Sequence, residues 1–536
     1  MKGMIVCPQP LAAEAGLEIL RRGGNAVDAA VTTAFCQGVL DPQMCGIGGS
    51  GMMVVHRAAT GVSEVIEFHA RAGGQVRPDQ WARIFVKEAD DRYNFVVEGG
   101  VNDAGHQSVG VPGTVAGLAL AMERHGTLPW AETLQPAIAL AEKGVPVSAS
   151  LHSSWTSEMS PDQLPMASRI QVTPAARRLY TDGGRLKPIG APLVQADYGQ
   201  TLRVLARDGA GAFYRGEIAE RIAADFAANG GFITADDLAG FRAEVTAPLE
   251  ATYRGLRVIT PPPPAGGLPL LQMLNFLEVS DLAAAGWPSL EAARLLVEAM
   301  GWAFADRERH LADPKFTAVP VARLLDKAYA AAARSRLAAG ERFAGRPPLE
   351  APGTTHVCVV DADGNVVSMT HTLGSSSGVV TDGLGFGYNN YLNCFDPRPG
   401  RVNSLAPGKT RITMMTPTIV FDGDRVRAVV GAPGGTKIVT AVLQTIVNLV
   451  DHGMTAVEAV SAPRIDYQAE TVQAEGRMPI AIIEGLRAEG YRVNRRPQNY
   501  DWYFASAQLI AGRPDGTLEG ASDPRRDGGA AYSLEV

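Results

Sequence analysis

The sequence predicts a mixed α+β fold. Three features predict it: Ala-rich helical segments near the N-terminus, hairpin patterns around residues 52–68 and 354–372, and a shift from helical to strand-dominated patterning after Arg342. At 536 residues the chain is long enough for several ordinary domains, or for one large layered body with a deep core. Hydrophobic residues make up 46% and charged residues 20%, a composition that favours neither a disordered nor a fibrous class.

The first segment, PLAAEAGLEILRRGGNAVDAAVTTAFCQGVLDP, reads as two helices. Leu11, Ala15 and Ile19 form a stripe on the first, which Gly23-Gly24 ends. Asn25 is placed to cap the second, with Asp28 three residues on as in a capping box, and Asp41-Pro42 closes it. Met52 to His56, a turn at Thr60-Gly61 and Val62 to Phe68 then form a hairpin pattern. Residues 112–345 are mainly helical, with amphipathic stretches at 114–124 and 289–306, a strand-like run from Ala251 to Thr260, and the punctuating PPPPAGG at 261–267.

FAGRPPLEAPG, at residues 343–353, leads directly into TTHVCVVDADGNVVSMTHTLG, a second hairpin with strands over Thr354–Val360 and Val366–Thr372 around a DADGN turn. A Pro/Gly loop feeding straight into a central strand is a suitable place for a chain to be cut. From there to Val536 strands predominate, interrupted by helices over 437–452 and 479–489, and no solenoid or propeller period is present.

Charge and cysteine content narrow the function. Lys plus Arg number 49 against 56 Asp plus Glu, a formal charge of -7, and no dense basic run tracks a phosphate backbone, so nucleic acid is not expected as a partner. Cys7, Cys36, Cys45, Cys358 and Cys394 are scattered without C-x-x-C spacing, which fits reduced thiols and implies neither a metal site nor a cofactor. The apolar run at the N-terminus is too short for a secretory core and nowhere do 18 apolar residues run uninterrupted, so no membrane association and a cytoplasmic location are expected.

GGNAVDAAV, TTHVCVVDADGNVVSMTHTL, APGGTKIVTAVLQTIVNLVDHGM and GASDPR, in that order over nearly the whole chain, resemble the γ-glutamyltransferase family of N-terminal-nucleophile (Ntn) hydrolases. The resemblance implies a four-layer αββα sandwich, and a precursor that cuts itself before a threonine into a large subunit, 1–353, and a small one, 354–536, forming one structural unit. The bond that matches is Gly353-Thr354. Thr354 would attack the Gly353 carbonyl, and Gly353, lacking Cβ, would tolerate the distorted backbone this requires. The α-amine so released, with an ordinary pKa of about 7.7–8.0, would then serve the Thr354 hydroxyl as general base.

By the same resemblance Thr372 matches a second threonine that donates a hydrogen bond to the nucleophilic oxygen, and Gly434-Gly435 match the pair whose backbone N–H groups hold the oxyanion. Period two puts Thr370 and Thr372 on one strand face.

The residues that would grip a glutamyl group depart from the family's pattern. The expected arginine falls at His69, with Arg71 two residues along. The paired serines correspond to Thr413 and Met414, the asparagine to Gly374, the amine-neutralising acid to Cys394, and the polar residue before it to Tyr391. Without charge-matching partners a desolvated zwitterion loses several kcal/mol, on the order of the cost of unpaired buried polar groups. Asn389, Asn390, Asn393 and Asp396 lie near enough in sequence to supply a polar pocket instead.

The stretch from Asp396 to Lys409 looks shorter than the family's lid loop, which favours water as acyl acceptor and hydrolysis over transfer. DPQMCGIGG, EFHARAG and VNDAGHQSVGVPG look more similar to the oxamate amidohydrolase branch, for whose small anionic amide one cation, Arg71 or His69, would suffice. Three readings follow: hydrolysis of a small amide such as oxamate, γ-glutamyl hydrolysis or transfer, and an unprocessed binding protein on the same fold. Further dimerisation of the paired fragments stays open.

Overall fold

The computed structural model describes residues 3–89, 94–157, 162–343, 353–468, 470–526 and 530–533. Two antiparallel sheets lie face to face. The first has seven strands in the order Glu244–Thr246, Val62–Phe68, Ser50–Arg57, Val366–Thr372, Thr355–Val360, Met4–Cys7 and Ala530–Ser533. The second has six: Leu249–Tyr253, Leu256–Thr260, Thr418–Asp422, Arg425–Gly431, Gln508–Gly512 and Leu518–Ser522.

Strand alternation sorts the apolar residues into three packed layers. Val54, Val65, Cys358, Val360, Ile259, Ile419, Val429 and Ile510 fill the space between the sheets. On the outer face of the first sheet, Met53, Val55, Ile66, Val357 and Met369 pack against the helices Pro10–Arg21, Ala26–Leu40, Thr114–His125, Trp130–Lys143 and Ala196–Asp208. On the outer face of the second, Val258, Val420, Val430 and Leu509 meet Gly267–Leu277, Leu290–His310 and Ile438–Val450. This is an αββα sandwich.

Local sequence logic holds at most elements and fails at two. Asn25 accepts from the Val27 and Asp28 amides while Asp28 accepts from the Asn25 amide, so the capping box forms. The first helix keeps only part of the expected stripe: Ile19 is buried, but Leu11 is 43% exposed and Ala15 half-buried, while Ala12, Ala13, Gly16, Leu17 and Leu20 also face inward. Close packing decides this, because a Cβ on Gly16 would lie 2.3 Å from Thr33 Oγ1 of the second helix. The run from Ala251 to Thr260 is a hairpin rather than one strand, turning at Arg254-Gly255, both with positive φ.

The sandwich places the 355–372 hairpin at the centre of the first sheet. Ser368, Thr370 and Thr372 point toward the second sheet, where the Ser368 hydroxyl donates to the Val430 carbonyl at 3.2 Å and the Thr370 hydroxyl lies 2.8 Å from His356 Nδ1. Thr354 precedes its strand by one residue, at the open end of this inter-sheet layer.

Candidate active site

Thr354 sits where the polypeptide enters the first sheet. The hydroxyl of Thr354 lies against the carbonyl oxygen of Gly353 and donates to Thr372 Oγ1 at 2.9 Å. Thr372 in turn donates to the Gly353 carbonyl oxygen at 2.8 Å and accepts from the Gly374 amide at 2.8 Å. Thr372 thus contacts both the Thr354 hydroxyl and the Gly353 carbonyl oxygen. Both threonines are only 3% exposed.

Glycine at 353 has a steric reason. A Cβ there would come within 1.4 Å of the Gly374 carbonyl oxygen. Close approach excludes other residues. The loop before it, residues 344–352, lies outside the described residues.

Thr354 opens onto a cavity of about 20 Å³, the size of a single water, lined by Thr372, Gly374, Arg411, Thr413, Met414 and Gly435 among others. Gly434 and Gly435 have φ of 143° and 60°, conformations open to glycine, and a Cβ on Gly434 would lie 2.3 Å from that of Ala505. The turn they make leads into the helix Ile438–Val450, whose first residue, Ile438, also lines the cavity. The amino end of a helix favours negative charge there.

The cation of this cavity is Arg411, a residue the sequence reading passed over. Its guanidinium lies 4.0 Å from the centre of the Tyr391 ring and against Cys394 Sγ, and it is 5% exposed. Gly374 adjoins it: a Cβ there would reach Arg411 Nη2 only at ordinary contact distance, 3.8 Å, but would crowd Asn390 Oδ1 at 2.4 Å. Tyr391 and Cys394 thus back the guanidinium rather than line the cavity. A basic residue two positions before Thr413, after Lys409 in GKTRITMMT, was the available signal.

His69 and Arg71 do not line the Thr354 cavity. They line a separate pocket of about 330 Å³ with Glu67, Glu244 and Lys315. Arg71 is taken up by an ion pair with Glu244 at 2.5 Å. His69 is held 3.2 Å from the Tyr391 hydroxyl, and burial, then Arg411 and Arg71, push its pKa down to about 3, so it carries no charge near neutrality.

The asparagines are committed to backbone. Asn389 bonds the Gly48 and Gly110 carbonyls, and Asn390 bonds the Asp103 carbonyl and the Ser375 amide. Asn393 lies against Cys394. Asp396 pairs with Arg398 at 2.8 Å, which also reaches Glu88. The Asp396–Lys409 stretch folds on itself, with Lys409 Nζ donating to the Val402 and Ser404 carbonyls.

Comparison with known proteins settles the relationship. The profile of the gamma-glutamyltranspeptidase family matches residues 12–533. The chain belongs to the gamma-glutamyltranspeptidase family. It is 40% identical over 538 residues to the acylase ACY 1 proenzyme of Pseudomonas sp. (strain V22), covering 98% of this chain and 93% of that protein. It is 34% identical over 549 residues to the glutathione hydrolase proenzyme of Escherichia coli (strain K12), covering 98% and 90%. Cephalosporin acylase from Bacillus halodurans superposes with a TM-score of 0.89 at 30% identity, covering 100% of this chain and 96% of that one.

Membership in this family makes the chain an Ntn amidohydrolase or acyltransferase with an α+β sandwich. All five cysteines are buried and none forms a disulfide. Among the described residues no helix is long and apolar enough to cross a membrane.

Proposed function

We propose that the chain is a self-processing amidohydrolase in which Thr354 first severs its own peptide bond and then hydrolyses a small amide whose acyl group carries a carboxylate and no amine, oxamate among them. The observation that carries this reading is the Thr354 hydroxyl lying against the Gly353 carbonyl while Thr372 donates to that same oxygen.

In processing, Thr354 Oγ1 bonds to the Gly353 carbonyl carbon and the C–N bond breaks, shifting the acyl group from nitrogen to oxygen. Water then hydrolyses the ester, giving a Gly353 carboxylate and a free Thr354 amine, and subunits 1–353 and 354–536. In turnover the amine takes the hydroxyl proton as Oγ1 attacks a substrate carbonyl. In this reading the Gly434 and Gly435 amides and the Thr372 hydroxyl donate to the oxyanion. The departing amine leaves with the proton, and water releases the acid.

Arg411 supports the choice of acyl group. A buried guanidinium beside Cys394, the position at which an acid is expected for a glutamyl amine, attracts a carboxylate and repels an ammonium. Names borne by relatives leave both acylase and glutathione hydrolysis in view.

Ammonia or amine release from oxamate, glutamine, a γ-glutamyl anilide and the matching anilide without the α-amine tests the reading. Turnover of the amine-free and oxamate substrates at least tenfold faster is expected. Rapid use of the γ-glutamyl anilide alone would replace this reading with a γ-glutamyl enzyme, and a single uncut, inactive chain with a binding protein.

A further inference from the structure

Gln37, on the helix Ala26–Leu40, reaches from the outer helix layer to the two residues that adjoin the threonine pair. It is buried. Its Nε2 donates to Thr355 Oγ1 at 3.0 Å and to the His356 carbonyl oxygen at 3.3 Å, and its Oε1 lies 2.9 Å from His371 Nε2. Thr355 and His371 stand directly opposite each other and form the end rung of the hairpin ladder. One side chain thus grips both strands beside Thr354 and Thr372.

The polarity of this grip follows from groups that have no choice. A backbone carbonyl only accepts, so the Gln37 amide nitrogen faces His356 and its oxygen faces His371. His371 Nε2 must then carry the ring proton. Burial pushes the His371 pKa down to about 3, so the ring holds one proton near neutrality.

Gln9, which precedes the helix Pro10–Arg21, holds Gln37 from behind. Gln37 Nε2 also donates to Gln9 Oε1 at 2.8 Å, and Gln9 Nε2 donates to Asp41 Oδ2 at 3.0 Å. The Thr355 hydroxyl donates to the same Gln9 oxygen at 3.3 Å. Two helices are therefore tied to the end of the central hairpin through side-chain amides.

This end of the hairpin needs such a tie. Thr354 lies one residue beyond the last rung of its ladder, so no further backbone pair of that ladder sets its distance from Thr372. The Thr354 carbonyl has a second tie, from Arg526 Nη1 at 2.9 Å. Loss of Gln37 would loosen the pair without releasing it.

We propose that Gln37 is a positioning residue: by gripping Thr355 and His371 together it sets Thr372 against Thr354 and the Gly353 carbonyl for self-cleavage. This rests on Thr354 being the processing nucleophile. Gln37 acts through its two neighbours rather than on the reacting atoms.

The test follows pulse-labelled full-length chain to its two fragments on a denaturing gel. Wild type, Gln37→Met, Thr355→Val and Thr372→Val are compared with the double changes that join each of the first two substitutions to Thr372→Val. The first-order rate constant reports geometry in the folded chain, and the fraction never cut reports misfolding. Misplacing reacting groups by about 1 Å costs up to roughly 100-fold, so with the Arg526 tie kept Gln37→Met should slow cleavage by about tenfold and Thr355→Val by about threefold. Once Thr372 is replaced there is no pair left to set, so either change should then cost less than about twofold more. A merely structural role would slow both backgrounds by the same factor. That result, or a wild-type rate constant in Gln37→Met, overturns the proposal. If Gln37→Met yields no folded chain, Thr355→Val decides by the same two criteria. Thr354→Ala, run alongside, separates the claims: cleavage of that variant removes the nucleophile itself, whereas an uncut Thr354→Ala with an unslowed Gln37→Met removes only the role of Gln37.

Discussion

Thr372 Oγ1 stands 2.9 Å from Thr354 Oγ1 and accepts its proton. The pair meets because the hairpin register, with Thr355 opposite His371, places the residue before one strand beside the last residue of the other. Two hydroxyls and one carbonyl oxygen are thereby brought within bonding reach before any cut occurs.

Thr372→Val removes the donor aimed at the Gly353 carbonyl. Processing should slow by about 10²–10³-fold, the usual loss for one oxyanion donor, while Thr372→Ser retains most of the rate. The measure is the appearance of two bands with time on a denaturing gel.

Gly353→Ala would drive a methyl group into the Gly374 carbonyl. The loss of close approach should leave the chain uncut for hours where wild type is fully split. Gly374→Ala, whose Cβ would meet Asn390, should process slowly and melt at lower temperature by differential scanning fluorimetry.

Arg411→Met tests the acyl anchor. Charge-assisted hydrogen bonds contribute about 1.5–3 kcal/mol, so kcat/KM for a carboxylate-bearing amide should fall roughly 10–150-fold, with a neutral amide of similar size changing less than threefold. Equal losses on both substrates would show that Arg411 serves packing alone.

His356 and His371 carry a pH consequence. Burial lowers both pKa values from 6.5 to about 3, so between those limits the unfolded chain binds more protons than the folded one. Their stabilisation is complete above pH 6.5 and is lost progressively as pH falls toward 3. His371→Gln, which can keep a bond to Gln37, should flatten the fall of urea-unfolding free energy from pH 6.5 to 4.5 by about one proton's slope.

The layered fold was legible because strand alternation and capping are local. Asn25 and Asp28 declare a helix start, and 354–372 declares a hairpin, whatever surrounds them. Thr354 and Thr372 were legible through motif order. The first helix's stripe was legible only at Ile19, since Gly16 packs against Thr33 in a neighbouring helix and no periodicity within 10–21 encodes that. Arg411 escaped for a related reason: its place is set by Tyr391 and Cys394, which lie 20 and 17 positions earlier in the chain. Arg71 looked available only because its partner Glu244 lies far away in sequence.

The most direct measurement is intact mass and N-terminal sequencing of purified wild type and Thr354→Ala, paired with ammonia release from the amide panel. Wild type should resolve into 1–353 and 354–536, the latter beginning at Thr354, and should turn over substrate, with Thr354→Ala both uncut and inactive. A single full-length wild-type chain with normal turnover, or an active Thr354→Ala, would contradict the account.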